Sequence, residues 1–318
     1  MSENVLDELV RGSLDHCVKC TICETICPVS NVTPLFPGPK YAGPQAERYR
    51  ALGQPPDESS VDYCSGCGLC TMSCPQGVKI AELNAHARYA LKQRTGVPLR
   101  DRLIARPTLI GRIGAPAAPL ANASLRSRPL RVLAERVLGI HRDAALPSFA
   151  GRPFHSWAKR HRGPAGGTKI VYFHNCGTDY YEPDVGKKVV AVLEHNGYRV
   201  EVPRQGCCGL PLQSNGLFED ARKYVLRLSR ALAPHARDGT LIVGNATSCT
   251  GMLKREAREI LGLEKDPDLE LVSRQTYDIC ELFLEMHDPD SKTAPKARGK
   301  GAAPASTSAC ATGQFSHL

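Results

Sequence analysis

The sequence predicts an α+β multidomain chain: a helical N-terminal module built on cysteines, a basic linker, and a small doubly wound α/β domain. Three observations predict it. Eight of the fourteen cysteines fall into two copies of one spacing, Cys17, Cys20, Cys23 and Cys27 before Pro28, then Cys64, Cys67, Cys70 and Cys74 before Pro75. From Lys169 onward, short β-branched runs alternate with helical patterns, the mark of a parallel sheet with helices on its faces. Four further cysteines, Cys176, Cys207, Cys208 and Cys249, each come soon after one of the strand patterns.

Three thiolates two residues apart can wrap a loop around one iron-sulfur cube. The fourth, turned away by its proline, is aimed at a second cube, as in two-cluster ferredoxins. The first module is therefore expected to be ferredoxin-like, with two 4Fe-4S clusters and crossed ligation: Cys17, Cys20, Cys23 and Cys74 on one, Cys64, Cys67, Cys70 and Cys27 on the other. Each half lacks a ligand without its partner. Zinc is the alternative, since paired cysteines are its commonest mark, but a tetrahedral site has no use for a third cysteine two residues on and a fourth before proline. Disulfides are disfavoured because Met1 to Val10 carries Glu3, Asp7 and Glu8 and no apolar export segment, so the compartment reads as reducing and cytoplasmic.

In chain order, Val5, Leu6, Leu9 and Val10 give residues 3–14 helical spacing. Between the cysteine runs, four prolines from Thr33 to Pro44 predict an ordered loop, neither helix nor inner strand. Ile80 to Gln93 reads as a helix closing a ferredoxin-type domain over residues 1–96. Residues 97–167 read as a linker of short proline-broken helices, of which Leu130 to Ile140 is the most regular. In the α/β domain, residues 168–287, strands are expected at Lys169 to Phe173, Tyr198 to Val202 and Thr240 to Val243. Helices are expected at Val185 to Asn196, Leu217 to Ala233, Met252 to Gly262 and Thr276 to Met286. That order puts the four cysteines in loops at the carboxyl edge of the sheet, where open α/β folds bind their ligands, flanked by Gly177, Gly206 and Gly209. The four converge on a second site. Cys280 reads as helix core and Cys310 as a tail residue without a role, while His16 and His174 read as loop neighbours rather than ligands.

Charge is concentrated. The chain carries 41 basic and 32 acidic residues, but residues 97–163 alone hold thirteen basic against three acidic, an excess of ten. Leu103, Ile104, Leu109, Ile110 and Ile113 lie among these arginines, which fits an anionic membrane surface or an acidic partner as well as a merely solvated helical face. Nucleic acid is a poor fit, because Phe149, Phe154 and Trp157 cluster at one end. No apolar run is long enough to span a membrane. The sequence has no dinucleotide fingerprint, phosphate loop or nucleophile elbow, so substrate chemistry is expected to belong to a partner.

Cys17 to Ser30, the Pro37 to Pro44 loop, Cys64 to Pro75, Phe173 to Cys176, Gln205 to Leu212 and Thr247 to Cys249 together resemble the C subunits of anaerobic glycerol-3-phosphate dehydrogenases, over about residues 15–285. The Cys-Cys-Gly turn resembles the wider cysteine-rich family shared with heterodisulfide reductases and glycolate oxidase iron-sulfur subunits. The resemblance implies an electron-transfer subunit on the cytoplasmic face of the membrane, taking electrons from a flavin-bearing dehydrogenase subunit and passing them to membrane quinone. It also implies a third iron-sulfur centre at Cys176, Cys207, Cys208 and Cys249. A heterodisulfide-reductase-like thiol-disulfide oxidoreductase and a glycolate oxidase-type iron-sulfur subunit are its alternatives. Relatives continue past the position of Met286 with a second Cys-Cys-Gly repeat and end their first with Cys-x-x-Cys. Here Cys249 is followed by Thr250, Gly251 and Met252, and residues 288–318 are poor in large apolar side chains, as in a disordered tail of a truncated, frame-shifted or half-size relative.

Overall fold

The computed structural model describes residues 10, 12–51 and 59–287. Most of the helix expected over residues 3–14, and all of the tail with Cys310, lie outside the described residues.

The two cysteine runs build one local structure twice. A 3-10 turn, Ser13–His16 or Ser60–Tyr63, leads into the first cysteine, and a four-residue helix, Ile22–Thr25 or Leu69–Met72, carries the third. Both loops pass through the left-handed region at the same two places. The second run uses Gly66 (φ 69°) and Gly68 (φ 79°), whereas the first uses Lys19 (φ 61°) and Thr21 (φ 69°). Side chains cost roughly 1–2 kcal/mol each in that region, so the first loop is held there by the packing around it. Val10, Cys23, Cys70, Val78, Ile80 and Leu83 form the small core that joins the copies.

The segment expected as a loop turns helical. Pro39 opens a helical turn after Gly38 (φ 112°), and Tyr41–Gln45 forms a wide π turn that contains Pro44 and leads into the Ala46–Ala51 helix. Proline is tolerated at a helix start, where its missing N–H would have no partner, and the π turn relaxes the usual register around Pro44.

In the second domain, β1 (Thr168–Phe173), β2 (Tyr198–Glu201), β3 (Leu241–Gly244) and β4 (Thr276–Asp278) form an all-parallel sheet in the order β2-β1-β3-β4. Alternate residues of β1 serve different cores. Ile170 and Tyr172 face the Pro183–His195 helix through Val190 and Leu193, while Val171 and Phe173 face the Phe218–Arg237 helix through Val225, Leu228 and Leu232. A sheet buried on both faces by crossover helices is the doubly wound arrangement, and its chain reversal falls between β1 and β3.

β4 is absent from the strand pattern because three residues are too few to show a period. It takes Thr276–Asp278 from the expected helix, which starts instead at Ile279 (Ile279–His287). Cys280, expected in the core, is exposed, because this helix turns Leu282 inward and Cys280 away from it.

The Ile80–Thr95 helix joins the domains. One face packs on Val61 through Ala87 and Leu91; another sends Ala85 and Tyr89 into the core of the second domain, where Tyr89 stacks on Phe218 at 4.5 Å. Gly216 (φ 71°) sits close against this helix, since a Cβ there would lie 2.8 Å from Lys92 Cγ. Replacing Gly216 with Val should lower stability to denaturant by about 1–3 kcal/mol through overpacking at this seam; an unchanged midpoint would show that the seam yields freely.

Candidate metal centres

The structure gathers the first eight cysteines around two pockets of similar size. One, of about 320 Å³, is lined by Cys17, Cys20, Cys23 and Cys74. The other, of about 310 Å³, is lined by Cys27, Cys64, Cys67 and Cys70. In each, three sulfurs come from one run and the fourth from the other, because Pro28 and Pro75 turn the last cysteine of each run out of its own loop.

The donor set suits a cluster better than a lone ion. All four candidate donors in each pocket are soft sulfurs, which favour iron-sulfur clusters, zinc or copper(I) over hard cations. Among the described residues, however, no three His, Cys, Asp or Glu side chains gather closely enough to hold a single metal ion. Backbone amides already point at the sulfurs: Val78 N donates to Cys74 Sγ at 3.4 Å and Ser30 N to Cys27 Sγ at 3.5 Å. Such donors stabilise thiolate charge and tune a cluster's potential. Cys20 and Cys67, the second cysteine of each run, are exposed, whereas Cys23, Cys27 and Cys70 are buried. Each pocket thus has one open edge.

At the carboxyl edge of the sheet, Cys176 opens the Cys176–Tyr180 helix after β1, Cys207 and Cys208 lie in the loop after β2, and Cys249 sits within the Thr247–Gly251 helix after β3. Two of the four therefore ride on first helical turns rather than in the expected loops. Their sulfurs lie in a row: Cys176 adjoins Cys207, Cys207 adjoins Cys208, and Cys208 Sγ lies 3.3 Å from Cys249 Sγ. Of the three flanking glycines, Gly209 (φ 83°) is the left-handed one, packed against the Phe218–Arg237 helix where a Cβ would meet Ala221 O at 3.0 Å. The space beside Gly177 is taken by Asn175.

Sequence reasoning missed the polar network behind this row. Asn175 caps the short helix by accepting from Thr178 N at 2.9 Å, and its amide reaches Asn245 Oδ1 at 3.3 Å. Tyr172 donates its hydroxyl to the same Asn245 oxygen at 2.9 Å, and Gln205 donates to Tyr172 O at 3.0 Å. Asn residues just past β1 and β3 were the available signal, because strand-end amides cap and brace loops. His174 is buried against Phe154, and burial lowers its pKa.

The 4Fe-4S dicluster domain family matches residues 13–78, and the cysteine-rich domain family matches residues 170–254. Two successive segments of the chain thus match a 4Fe-4S dicluster domain and a cysteine-rich domain. It is 32% identical over 256 residues to the C subunit of anaerobic glycerol-3-phosphate dehydrogenase from Escherichia coli (strain K12), covering 79% of this chain and 64% of the relative. It is also similar to the B subunit of fumarate reductase (CoM/CoB) from Methanothermobacter marburgensis, 25% identical over 252 residues, 76% of this chain and 43% of that one. Lactate utilization protein A of Bacillus subtilis (strain 168) matches at 33% over 120 residues, 37% of this chain and 49% of the relative. The chain thus spans less than two thirds of the length of these relatives. No solved structure matches it.

Without metal, three thiols of the dicluster domain, Cys23, Cys64 and Cys70, resist ionisation. Burial, reinforced by Glu24 and Cys17, pushes Cys23 up to about 11, and burial followed by Cys64 pushes Cys70 up to about 12, from an ordinary 9.0. Burial also dominates the rise at Cys64. In the cysteine-rich domain, Cys176 is raised chiefly by its hydrogen bond to Cys207, while Cys208 is raised by Cys249 and by burial against a lowering hydrogen bond to Cys207. A folded-state pKa above the unfolded one stabilises the metal-free chain fully below about pH 9, and that stability is lost as pH rises toward 11 to 12. The metal-free chain should therefore show a falling urea midpoint between pH 8.5 and 10.5, and Cys23→Ser with Cys70→Ser should flatten the fall. An equal fall in the double variant would assign it to other groups.

Proposed function

We propose that this chain is the electron-transfer subunit of an oxidoreductase of the anaerobic glycerol-3-phosphate dehydrogenase kind, taking electrons from a flavin-bearing dehydrogenase subunit and passing them toward membrane quinone. The observation that carries the reading is the grouping of eight thiols, four and four, around two pockets, in a chain similar to a named dehydrogenase subunit. Cys17, Cys20, Cys23 and Cys74 would hold one 4Fe-4S cluster; Cys64, Cys67, Cys70 and Cys27 would hold the other. Cys176, Cys207, Cys208 and Cys249 would hold a third iron-sulfur centre. When bound, such clusters supply one-electron carriage at potentials set by ligation, hydrogen bonding and exposure. The chain's own residues do the rest. Cys20 and Cys67 bring the pockets to the surface, where a redox partner can approach, and Val78 and Ser30 amides brace the exchanged sulfurs. The division we propose is a cluster domain over residues 1–96, a linker over 97–167 and a cysteine-rich domain over 168–287.

Crossed ligation makes a sharp expectation for anaerobically purified protein. The unaltered chain should carry about eight irons and as many sulfides, or more if the sheet-edge site is filled. Cys74→Ser should remove the same electron paramagnetic resonance signal as Cys20→Ser, and Cys27→Ser the same one as Cys67→Ser. If Cys74→Ser instead copies Cys67→Ser, each run serves its own cluster and the exchange is wrong.

We place the linker at the cytoplasmic face of the membrane. No described helix is long and apolar enough to cross one, but the helices Pro107–Gly114, Ala118–Arg126 and Arg128–Leu138 expose Ile113, Leu120, Leu133 and Val137 among arginines. Arg131 is spent inside the linker, donating to the carbonyls of Leu125, Arg142 and Ala144, and Arg112 lies beside Tyr180, which leaves Arg126, Arg128 and Arg136 as the candidate lipid contacts on these helices. Replacing these three with Gln should weaken binding to anionic vesicles by about 3 kcal/mol, on the order of a hundredfold at low salt. Unchanged sedimentation would mean that the linker serves another purpose.

A further inference from the structure

One buried guanidinium lies where the two domains meet. Arg88, on the Ile80–Thr95 helix, is 7% exposed and donates to backbone carbonyls on both sides of the seam. It binds Val61 O at 2.7 Å and Cys64 O, which belong to the turn entering the second cysteine run, and Ser214 O at 2.5 Å, which lies just past the Cys-Cys-Gly turn. Its nearest carboxylate, Asp62, is 3.7 Å away and is held more closely by Lys92, at 2.6 Å. One helical turn earlier, Asn84, almost fully buried, points its amide at Cys64 Sγ at 3.9 Å. Asn84 Oδ1, Arg88 Nε and Gln213 Oε1 are buried without a hydrogen-bond partner. All three residues line an interdomain pocket of about 580 Å³ that Cys64 and Cys67 share with Leu210. None of the other quartet, Cys17, Cys20, Cys23 and Cys74, lines it.

A buried cation satisfied mainly by carbonyls is a costly way to join two surfaces, since apolar residues of similar size would serve stability as well or better. What apolar residues could not supply is a fixed fork and a positive charge beside a ligand sulfur. One-electron reduction of a cluster adds one negative charge with no bond made or broken, and a cation held nearby in a low dielectric favours it.

We propose that Arg88 is a positioning residue that clamps the Cys64 loop to the cysteine-rich domain and raises the reduction potential of the cluster held by Cys27, Cys64, Cys67 and Cys70. This rests on the ligation proposed above. It makes that cluster the one turned toward the second domain and leaves the Cys17 cluster toward the opposite end of the path.

The test uses the full anaerobic chain, its iron count, a redox titration followed by paramagnetic resonance, and hydrogen exchange. Arg88→Met should make one cluster at least tenfold harder to reduce, about 59 mV for one electron, and leave the other unmoved. Arg88→Lys keeps the charge and loses the fork, so its potential should move by less than threefold while exchange at the Gly216 and Leu217 amides accelerates. If Arg88→Met does not accumulate, Arg88→Lys decides alone, because slow exchange there defeats the clamp. Equal shifts in both clusters, or none, in protein that keeps its iron overturn the inference. An unaltered chain with fewer than about eight irons sinks the ligation reading instead, and the two failures are told apart by that count.

Discussion

Neither cysteine run can complete its own ring of sulfurs. Cys74 lies with Cys17, Cys20 and Cys23, and Cys27 lies with Cys64, Cys67 and Cys70, so each pocket exists only when both runs are folded against each other. Much of the first domain follows from this exchange. The proline after each fourth cysteine turns the chain away, the left-handed residues bend each loop around its pocket, and a core of only a few apolar side chains holds the two copies together. So small a core contributes little stability by burial alone, which is why cofactor binding would be expected to contribute much of the folding free energy in such a module.

The second domain reaches a similar end by different means. Its doubly wound sheet has ample apolar packing on both faces, and its cysteines are placed by topology rather than by local spacing. Residues separated by some seventy positions in sequence meet because parallel strands deliver their carboxyl ends to one edge. Behind the sulfur row, Asn175, Asn245 and Tyr172 brace the same edge with hydrogen bonds. The Ile80–Thr95 helix couples the two designs. It shares a core with the cysteine loops on one side and stacks Tyr89 on Phe218 on the other, with Arg88 between them.

Regular repetition was what the sequence expressed clearly. The doubled cysteine spacing announced the first module, and the strands at residues 168–173, 198–201 and 241–244 were legible because each holds β-branched residues, with aromatic ones in the first two, in a short run close to turn residues. Elements without a period escaped. β4 is three residues long, and the helical turn through Pro44 contradicts the usual meaning of proline because a π turn and a helix start both tolerate the missing donor. Cys280 was misplaced for the same reason: moving the helix start to Ile279 determines which side of it faces the sheet.

By itself, the sequence determined the chemistry on offer: soft sulfur donors in two matched runs, four more after the strands, and a linker with a large excess of positive charge. These are properties of residue type and spacing, which local geometry cannot alter. Only the tertiary structure decided that Arg131 is consumed within the linker, that Arg88 spans the two domains, and that one cysteine pocket rather than the other adjoins the interdomain cavity. Those facts depend on which carbonyls a guanidinium meets after distant segments have packed, and no pattern along the chain encodes that meeting.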